Sequence, residues 1–273
     1  MRGNKITITL LLLTVFTFVF IGFNYILFKT EVKNTIAEDK VVADKFNEKQ
    51  EALEQKKIKE AEEEKKRIYN KHKGEPLIYS PMGDSLALGL HATTKEKKYT
   101  AVLPQLIEEN LGYSVTVADG ATEGGTGLKD FGIPNLPKVI AQKPDLVTIE
   151  FGTNDSDENF KKVYSTPEEF EERLLHVINT LKSQEKPPKI ILVTTWGLFE
   201  RSFKYDAVIE KVGKQTGVPV ANIQSIWYGR NDTFGPKGYK DLFGNESDGW
   251  HPNDQGHKEI ANQIFEQAYE ILK

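Results

Sequence analysis

The first 73 residues cannot supply a compact core, so folding into a globular domain falls to the 200 residues after them. Residues 29–73 hold 24 Lys, Arg, Asp or Glu among 45 positions and contain neither Gly nor Pro. Glu62 with Lys66 and Glu63 with Arg67 sit at i,i+4 spacing, in the order that supports a helix. Val32, Ile36, Val42, Phe46, Leu53, Ile58, Ala61 and Ile68 recur only loosely at heptad intervals, whereas a strong coiled coil keeps both seam positions apolar. The pattern predicts a solvated helical stalk with weak, coiled-coil-like self-association. Fully helical, it would reach on the order of 70 Å. Gly74 and Pro76 mark its end.

Ahead of the stalk, residues 6–28 form an uncharged, mostly apolar run of 23 residues. As a helix this run spans roughly 35 Å, enough to cross a bilayer. The residues after it are bulky or charged, not the small residues of a cleavage site. An uncleaved signal anchor is therefore expected: a transmembrane helix with the membrane as its partner. Arg2 and Lys5 favour an inside N-terminus, although Lys29 and Lys33 follow on the other side. The expected location is the cell membrane, single-pass, with the rest of the chain extracytoplasmic. The expected divisions are 1–28 anchor, 29–74 stalk and 75–273 globular domain.

The net charge of -4 and the lack of a basic aromatic patch argue against nucleic-acid binding. With no cysteine, disulfides, a thiol nucleophile and cysteine-ligated zinc are excluded.

From residue 75 on, strand-like and helix-like segments alternate. Segments 77–82, 114–118, 145–151, 189–195 and 218–223 are apolar or β-branched, as strands covered on both faces are. Helices are expected over 100–111, with Pro104 near the start, from Thr166, over 205–216, and over 253–272. At the second of these, Thr166 can cap, Pro167 suits the first helical position and Glu169 completes a capping box. Residues 224–249 read as a long loop. Five strands alternating with helices imply an α/β three-layer sandwich with a parallel sheet.

Four stretches fall where such a sheet gathers its loops, at the carboxyl ends of the strands. They are Gly83-Asp84-Ser85-Leu86, Gly120 to Gly127, Gly152-Thr153-Asn154-Asp155, and Asp248-Gly249-Trp250-His251-Pro252-Asn253. Turns are rich in Gly, Asp and Ser for local reasons, so one stretch alone carries little weight. Together and in this order they resemble the sequence blocks of the SGNH, or GDSL, hydrolase superfamily, over residues 76–273.

The resemblance implies a flavodoxin-like three-layer α/β/α sandwich, here with a five-stranded parallel sheet, and hydrolysis of acyl esters. It makes Ser85 the nucleophile, His251 the base and Asp248 the acid that orients the base. The oxyanion donors it implies are the backbone N–H groups of Ser85 and Gly124 and the side chain of Asn154. In the family the oxyanion glycine follows an earlier glycine by three residues, which counted from Gly120 gives Glu123. Gly124, one later, is assigned with a one-residue insertion. No Gly-x-Ser-x-Gly is present, so the α/β-hydrolase elbow is not indicated.

The expected protein is an anchored extracytoplasmic serine esterase or acylhydrolase without cofactor or metal. Its substrate is an acyl ester, on cell-wall polysaccharide or lipid. Acyl transfer through the same acyl-enzyme and a catalytically silent binding module are the alternatives. Asp84 is read as a residue that organises its turn, Asp155 as a cap, and His257 as a packing residue of the last helix. His72, His91 and His176 have no suitable neighbours in sequence. Asp232 and Asp241 read as surface loop residues.

Overall fold

The computed structural model describes residues 3–197 and 199–273, the side chains of 3–16, 35–39, 41–42 and 199 excepted. The chain divides into two units, Met1–Glu64 and Lys65–Lys273.

In the first unit the chain is helical, as part of α1 (Gly3–His72). Phe46, Leu53 and Ile58 are exposed there. Lys56 pairs with Glu60 at 3.6 Å and Lys59 with Glu63 at 4.0 Å, all four side chains in solvent. Exposed i,i+4 pairs of this kind contribute about 0.3–0.5 kcal/mol each. The side chains of residues 6–16, part of the expected anchor, lie outside those described. Among the described residues no helix is long and apolar enough to cross a membrane.

The second unit opens with the last turns of α1. Ile68 is buried in its core, and His72 stacks on Tyr113 at 4.4 Å between ring centroids. The elements then run β1 (Pro76–Gly83), α2 (Ser85–Leu88), α3 (Tyr99–Leu111), β2 (Ser114–Val117), β3 (Ala121–Thr122), α4 (Ile133–Ala141), β4 (Leu146–Glu150), α5 (Pro167–Lys182), β5 (Lys189–Val193), α6 (Phe199–Thr216), β6 (Val220–Ala221), α7 (Gln224–Trp227) and α8 (Asp254–Leu272). The sheet is parallel, in the order β2-β1-β4-β5-β6.

That order turns back between β1 and β4, which is the switch point where open α/β sheets place their ligands. Strand residues alternate between two cores. Leu77, Tyr79, Ile191 and Val193 face α3 and α8, whereas Met82, Val147, Ile149, Ile190 and Leu192 face the layer of α4, α5 and α6. The sheet thus has a helical layer on each face.

The expected five strands become six. Ala121–Thr122 pairs with Met82 and Gly83 as β3, beyond the pairing of Pro76–Tyr79 with β2. Between the two pairings the outer chain gains one residue on β1. Gly120 takes φ +60°, a left-handed conformation that glycine adopts without strain, and absorbs the extra residue. A two-residue strand carries too little pattern to be read from sequence.

Pro104 lies inside α3, in its second turn. The capping box of α5 forms as expected: Thr166 Oγ1 accepts from the Glu169 N–H and Glu169 Oε2 from the Thr166 N–H. Asn253 caps α8 by accepting from the Gly256 N–H at 3.0 Å. The long loop of 224–249 contains α7.

Candidate active site

The β1 strand ends at Gly83, and the chain turns directly into α2. Asp84 caps this short helix, its Oδ1 accepting from the Leu86 N–H at 3.1 Å. The cap fixes Ser85 at the first helical position, at the carboxyl edge of the sheet. Ser85 Oγ lies 3.0 Å from His251 Nε2 and 3.4 Å from Asp84 Oδ1.

His251 reaches Ser85 from the loop before α8. Asp248 and His251 meet through a local turn in which Asp248 Oδ1 accepts from the N–H groups of Trp250, at 2.8 Å, and His251, at 3.0 Å. Asp248 Oδ2 lies 2.6 Å from His251 Nδ1. The Trp196 indole N–H holds this loop through the Trp250 carbonyl, and the Trp250 ring packs edge-on against His251.

The electrostatics follow from this geometry. Burial works to raise the Asp248 carboxyl, but the two backbone N–H groups and the imidazole outweigh it and pull it down to about 2. Burial pulls His251 below the usual histidine value, against the opposing influence of Asp248. The pair therefore rests as carboxylate and neutral imidazole at neutral pH. An imidazole with Nδ1–H on Asp248 presents a bare Nε2 to Ser85, able to accept its proton.

Gly124 lies beside the serine: a β-carbon built there would stand 3.9 Å from Ser85 Cβ. The neighbouring Glu123 donates its N–H to the Gly83 carbonyl at 3.2 Å, so that N–H is committed to the β1–β3 connection. Asn154 is brought to the site through Asp84. Its Nδ2 donates to Asp84 Oδ2 at 3.1 Å and to the Thr126 carbonyl at 3.0 Å.

Several residues play parts that the sequence did not disclose. Glu150, at the end of β4, is fully buried beneath the serine turn, with Oε2 accepting from the Asp84 N–H. Burial drives both carboxyls up, and the charge of Asp84 adds to the effect on Glu150. An acid ending a buried strand looks like any strand end in sequence.

His91, without neighbours in sequence, is buried beside the histidine loop. Its Nε2 is 3.5 Å from Asp248 Oδ1 and its Nδ1 3.5 Å from Asp241 Oδ2. Asp241 is itself buried, accepting from the N–H groups of Phe243 and Asn245, and is no surface residue. Only tertiary folding brings these positions together, across about 150 residues of chain.

Asp155 is buried as well, and joins two loops by accepting from the N–H groups of Leu128 and Gly152. His257 packs inside α8 and donates Nε2–H to the Leu90 carbonyl at 3.0 Å. Asp232 is exposed, in an ion pair with Arg230. A cavity of about 290 Å³ lined by Trp196, Trp227, Phe234, Trp250 and Arg230 opens next to the histidine loop.

Solved structures with the same fold include a family 3 carbohydrate esterase from Clostridium thermocellum. It shares 18% identity over 72% of this chain and 98% of its own, with a TM-score of 0.58. A two-domain esterase active on acetylated mannans shares 20% identity over 79% of this chain and 53% of its own, TM-score 0.57. An acetylxylan esterase from Geobacillus stearothermophilus shares 22% identity over 72% of this chain and 94% of its own, TM-score 0.54. No curated protein sequence matches the chain. The sequence model of the GDSL-like lipase/acylhydrolase family matches residues 82–259, well over half of the chain. That extent carries the assignment: this chain belongs to the GDSL-like lipase/acylhydrolase family and is a serine ester hydrolase.

Proposed function

We propose that the chain cleaves acyl esters through a Ser85 acyl-enzyme. The observation that carries this reading is the continuous line from Ser85 Oγ to His251 Nε2 at 3.0 Å and from His251 Nδ1 to Asp248 Oδ2 at 2.6 Å. Ser85 Oγ attacks the acyl carbon while His251 Nε2 takes its proton. The tetrahedral intermediate collapses, and His251 gives that proton to the departing alcohol. Water then repeats the sequence on the acyl-enzyme, releasing the acid and restoring Ser85. Asp248 holds the Nδ1–H tautomer and stabilises the imidazolium formed in each half.

The oxyanion would be met by the N–H groups of Ser85 and Gly124 and by Asn154 Nδ2. Commitment of the Glu123 N–H to Gly83 favours Gly124. Asn154 Nδ2 has two hydrogens, on Asp84 and on the Thr126 carbonyl; the oxyanion would replace one of these acceptors.

The substrate we infer is an O-acylated polysaccharide. Fold neighbours that are a carbohydrate esterase, an esterase active on acetylated mannans and an acetylxylan esterase support it, as does the aromatic-lined cavity beside His251. We further infer an extracytoplasmic enzyme held at the membrane by residues 6–28. The uncharged run supports this, as do Phe18, Val19, Phe20, Ile21 and Phe23, each at least 60% exposed in the first unit. Retention of the full chain in carbonate-washed membranes checks the anchor; full release into the wash refutes it.

Ser85→Ala tests the mechanism. Hydrolysis of a short aryl ester should fall by at least about 10⁴-fold with the circular dichroism spectrum unchanged. Undiminished turnover would rule out the acyl-enzyme. Release of acetate from acetylated xylan or wall polysaccharide, compared with long-chain lipid esters, separates the substrate classes.

A further inference from the structure

We propose that His91, Asp248 and His251 form an inhibitory site for a zinc-class metal ion, on the side of the His251 ring away from Ser85. The ligand atoms these three residues offer all lie within 4.8 Å of one another. His91 Nε2 and Asp248 Oδ1 are 3.5 Å apart. Two ligands of a tetrahedral ion with bonds of about 2.1 Å stand about 3.4 Å from each other, so this separation already fits, whereas His251 Nδ1 and Asp248 Oδ2, 2.6 Å apart, would part to admit the ion. The rings of His91 and His251 pack edge-on with 5.1 Å between centroids, and each has a nitrogen beside the Asp248 carboxylate.

The surroundings of His91 are those of a metal-binding imidazole. A ligating histidine usually turns its second ring nitrogen toward a carboxylate that fixes its tautomer. Here His91 Nδ1 is buried without a hydrogen-bond partner, and Asp241 Oδ2 lies 3.5 Å from it. Asp241 is held in place by the N–H groups of His91, Phe243 and Asn245. A metal on Nε2 would leave the proton on Nδ1, facing this carboxylate. The His91 backbone is also committed to its position, in the left-handed region at φ +64°.

The donor set selects the ion. Two imidazole nitrogens and one carboxylate oxygen suit Zn²⁺, with Co²⁺, Ni²⁺ and Cu²⁺, whereas Ca²⁺ and Mg²⁺ prefer all-oxygen sites. Three protein ligands leave a fourth position for water.

Occupation would silence the base. Metal on His251 Nδ1 displaces the proton that Nδ1 gives to Asp248, and that proton leaves to water. The imidazole stays neutral by taking a proton from water at Nε2, so its charge is unchanged. Nε2 then donates toward Ser85 and can no longer accept from it. Inhibition rests on the Ser85–His251 mechanism proposed above; binding of the ion does not.

The experiment therefore has two arms on the full chain in detergent. In the first, ZnCl₂ is titrated calorimetrically into Ser85→Ala, with CaCl₂ as control. One zinc ion should bind with micromolar affinity, and CaCl₂ should give no heat at the same concentrations. His91→Asn in the same background should weaken zinc at least about tenfold. Asparagine tolerates the left-handed backbone at this position. Asp241→Asn, which keeps all three ligands, is the second variant and should weaken zinc by about tenfold.

In the second arm, zinc should inhibit aryl-ester hydrolysis by the wild type and EDTA should restore it. His91→Asn, measured against its own metal-free rate, should need at least about tenfold more zinc. Absence of zinc binding to Ser85→Ala, or binding unaffected by both variants, overturns the site. Binding without inhibition of an active wild type overturns the inhibitory role. A wild type that hydrolyses no ester refutes the esterase mechanism and leaves the calorimetric arm to decide the site.

Discussion

A β-carbon built on Gly83 would stand 2.7 Å from Glu150 Oε2. The two residues are register partners across β1 and β4, on the strands that flank the switch point. The buried carboxyl of Glu150 thus occupies the space a side chain at 83 would need, and from there it accepts the Asp84 N–H. A glycine, a buried acid and the cap of the helix that begins at Ser85 form one packed unit.

Gly83→Ala should therefore damage both stability and activity. The added methyl also meets the Ala87 β-carbon at 2.6 Å and the Glu150 carbonyl at 2.7 Å, where little can yield. Overpacking of this kind destabilises by about 1–3 kcal/mol. Urea denaturation should show a lower midpoint with an unchanged slope, and aryl-ester turnover should drop at least about tenfold as Asp84 and Ser85 shift. A variant with wild-type midpoint and rate would show that Glu150 relaxes freely.

The activity should persist into mild acid. Protonated His251 cannot accept from Ser85, so the rate falls as pH drops through the histidine's pKa. Burial holds that pKa below the ordinary value, Asp248 opposing. The acid limb of kcat/KM should then have its midpoint under about 6.5, the value of a free histidine. A midpoint above 7 would mean that Asp248 outweighs burial.

Asp248→Asn should leave the fold intact while lowering kcat about 10⁴-fold. The amide can turn its NH₂ toward His251 Nδ1, which favours the Nε2–H tautomer and removes the lone pair facing Ser85. The readout is single-turnover acylation with an aryl ester. A loss of less than tenfold would place the acid elsewhere.

Asn154→Ala should lower kcat about 10²–10³-fold with KM little changed, as expected for a donor used in the transition state. Asn154→Asp, similar in size, should not rescue it, because it sets a carboxylate against Asp84 and the Thr126 carbonyl. A change confined to KM would assign Asn154 to ground-state binding.

Thr166→Ala removes one half of the α5 capping box, far from the serine in sequence. The expected loss is about 1 kcal/mol of stability with kcat unchanged. Denaturant melts and initial rates on one preparation separate the two effects.

What the sequence determined by itself was local. Alternating apolar runs set the strands and the α/β class, because each strand must bury both faces under helices. Thr166, Pro167 and Glu169 fixed the start of α5, since a cap needs only its own turn. Asp248 and His251, three apart, find each other within one turn, which is why their pairing was legible. The fourfold set of loop stretches, with their order, carried the family.

The tertiary structure decided everything that depends on long-range approach. Ser85 and His251 are 166 positions apart, and only the closure of α8 onto α3 brings the loop before α8 over α2. At β3, a two-residue pairing takes the Glu123 N–H onto the Gly83 carbonyl and sets Gly124 beside the serine, an arrangement that the spacing of the glycines does not record. His91, Asp241 and Glu150 have no local signature. Their significance comes from burial and from charged partners supplied by other loops, and the cost of burying such groups depends on neighbours that sequence spacing does not record.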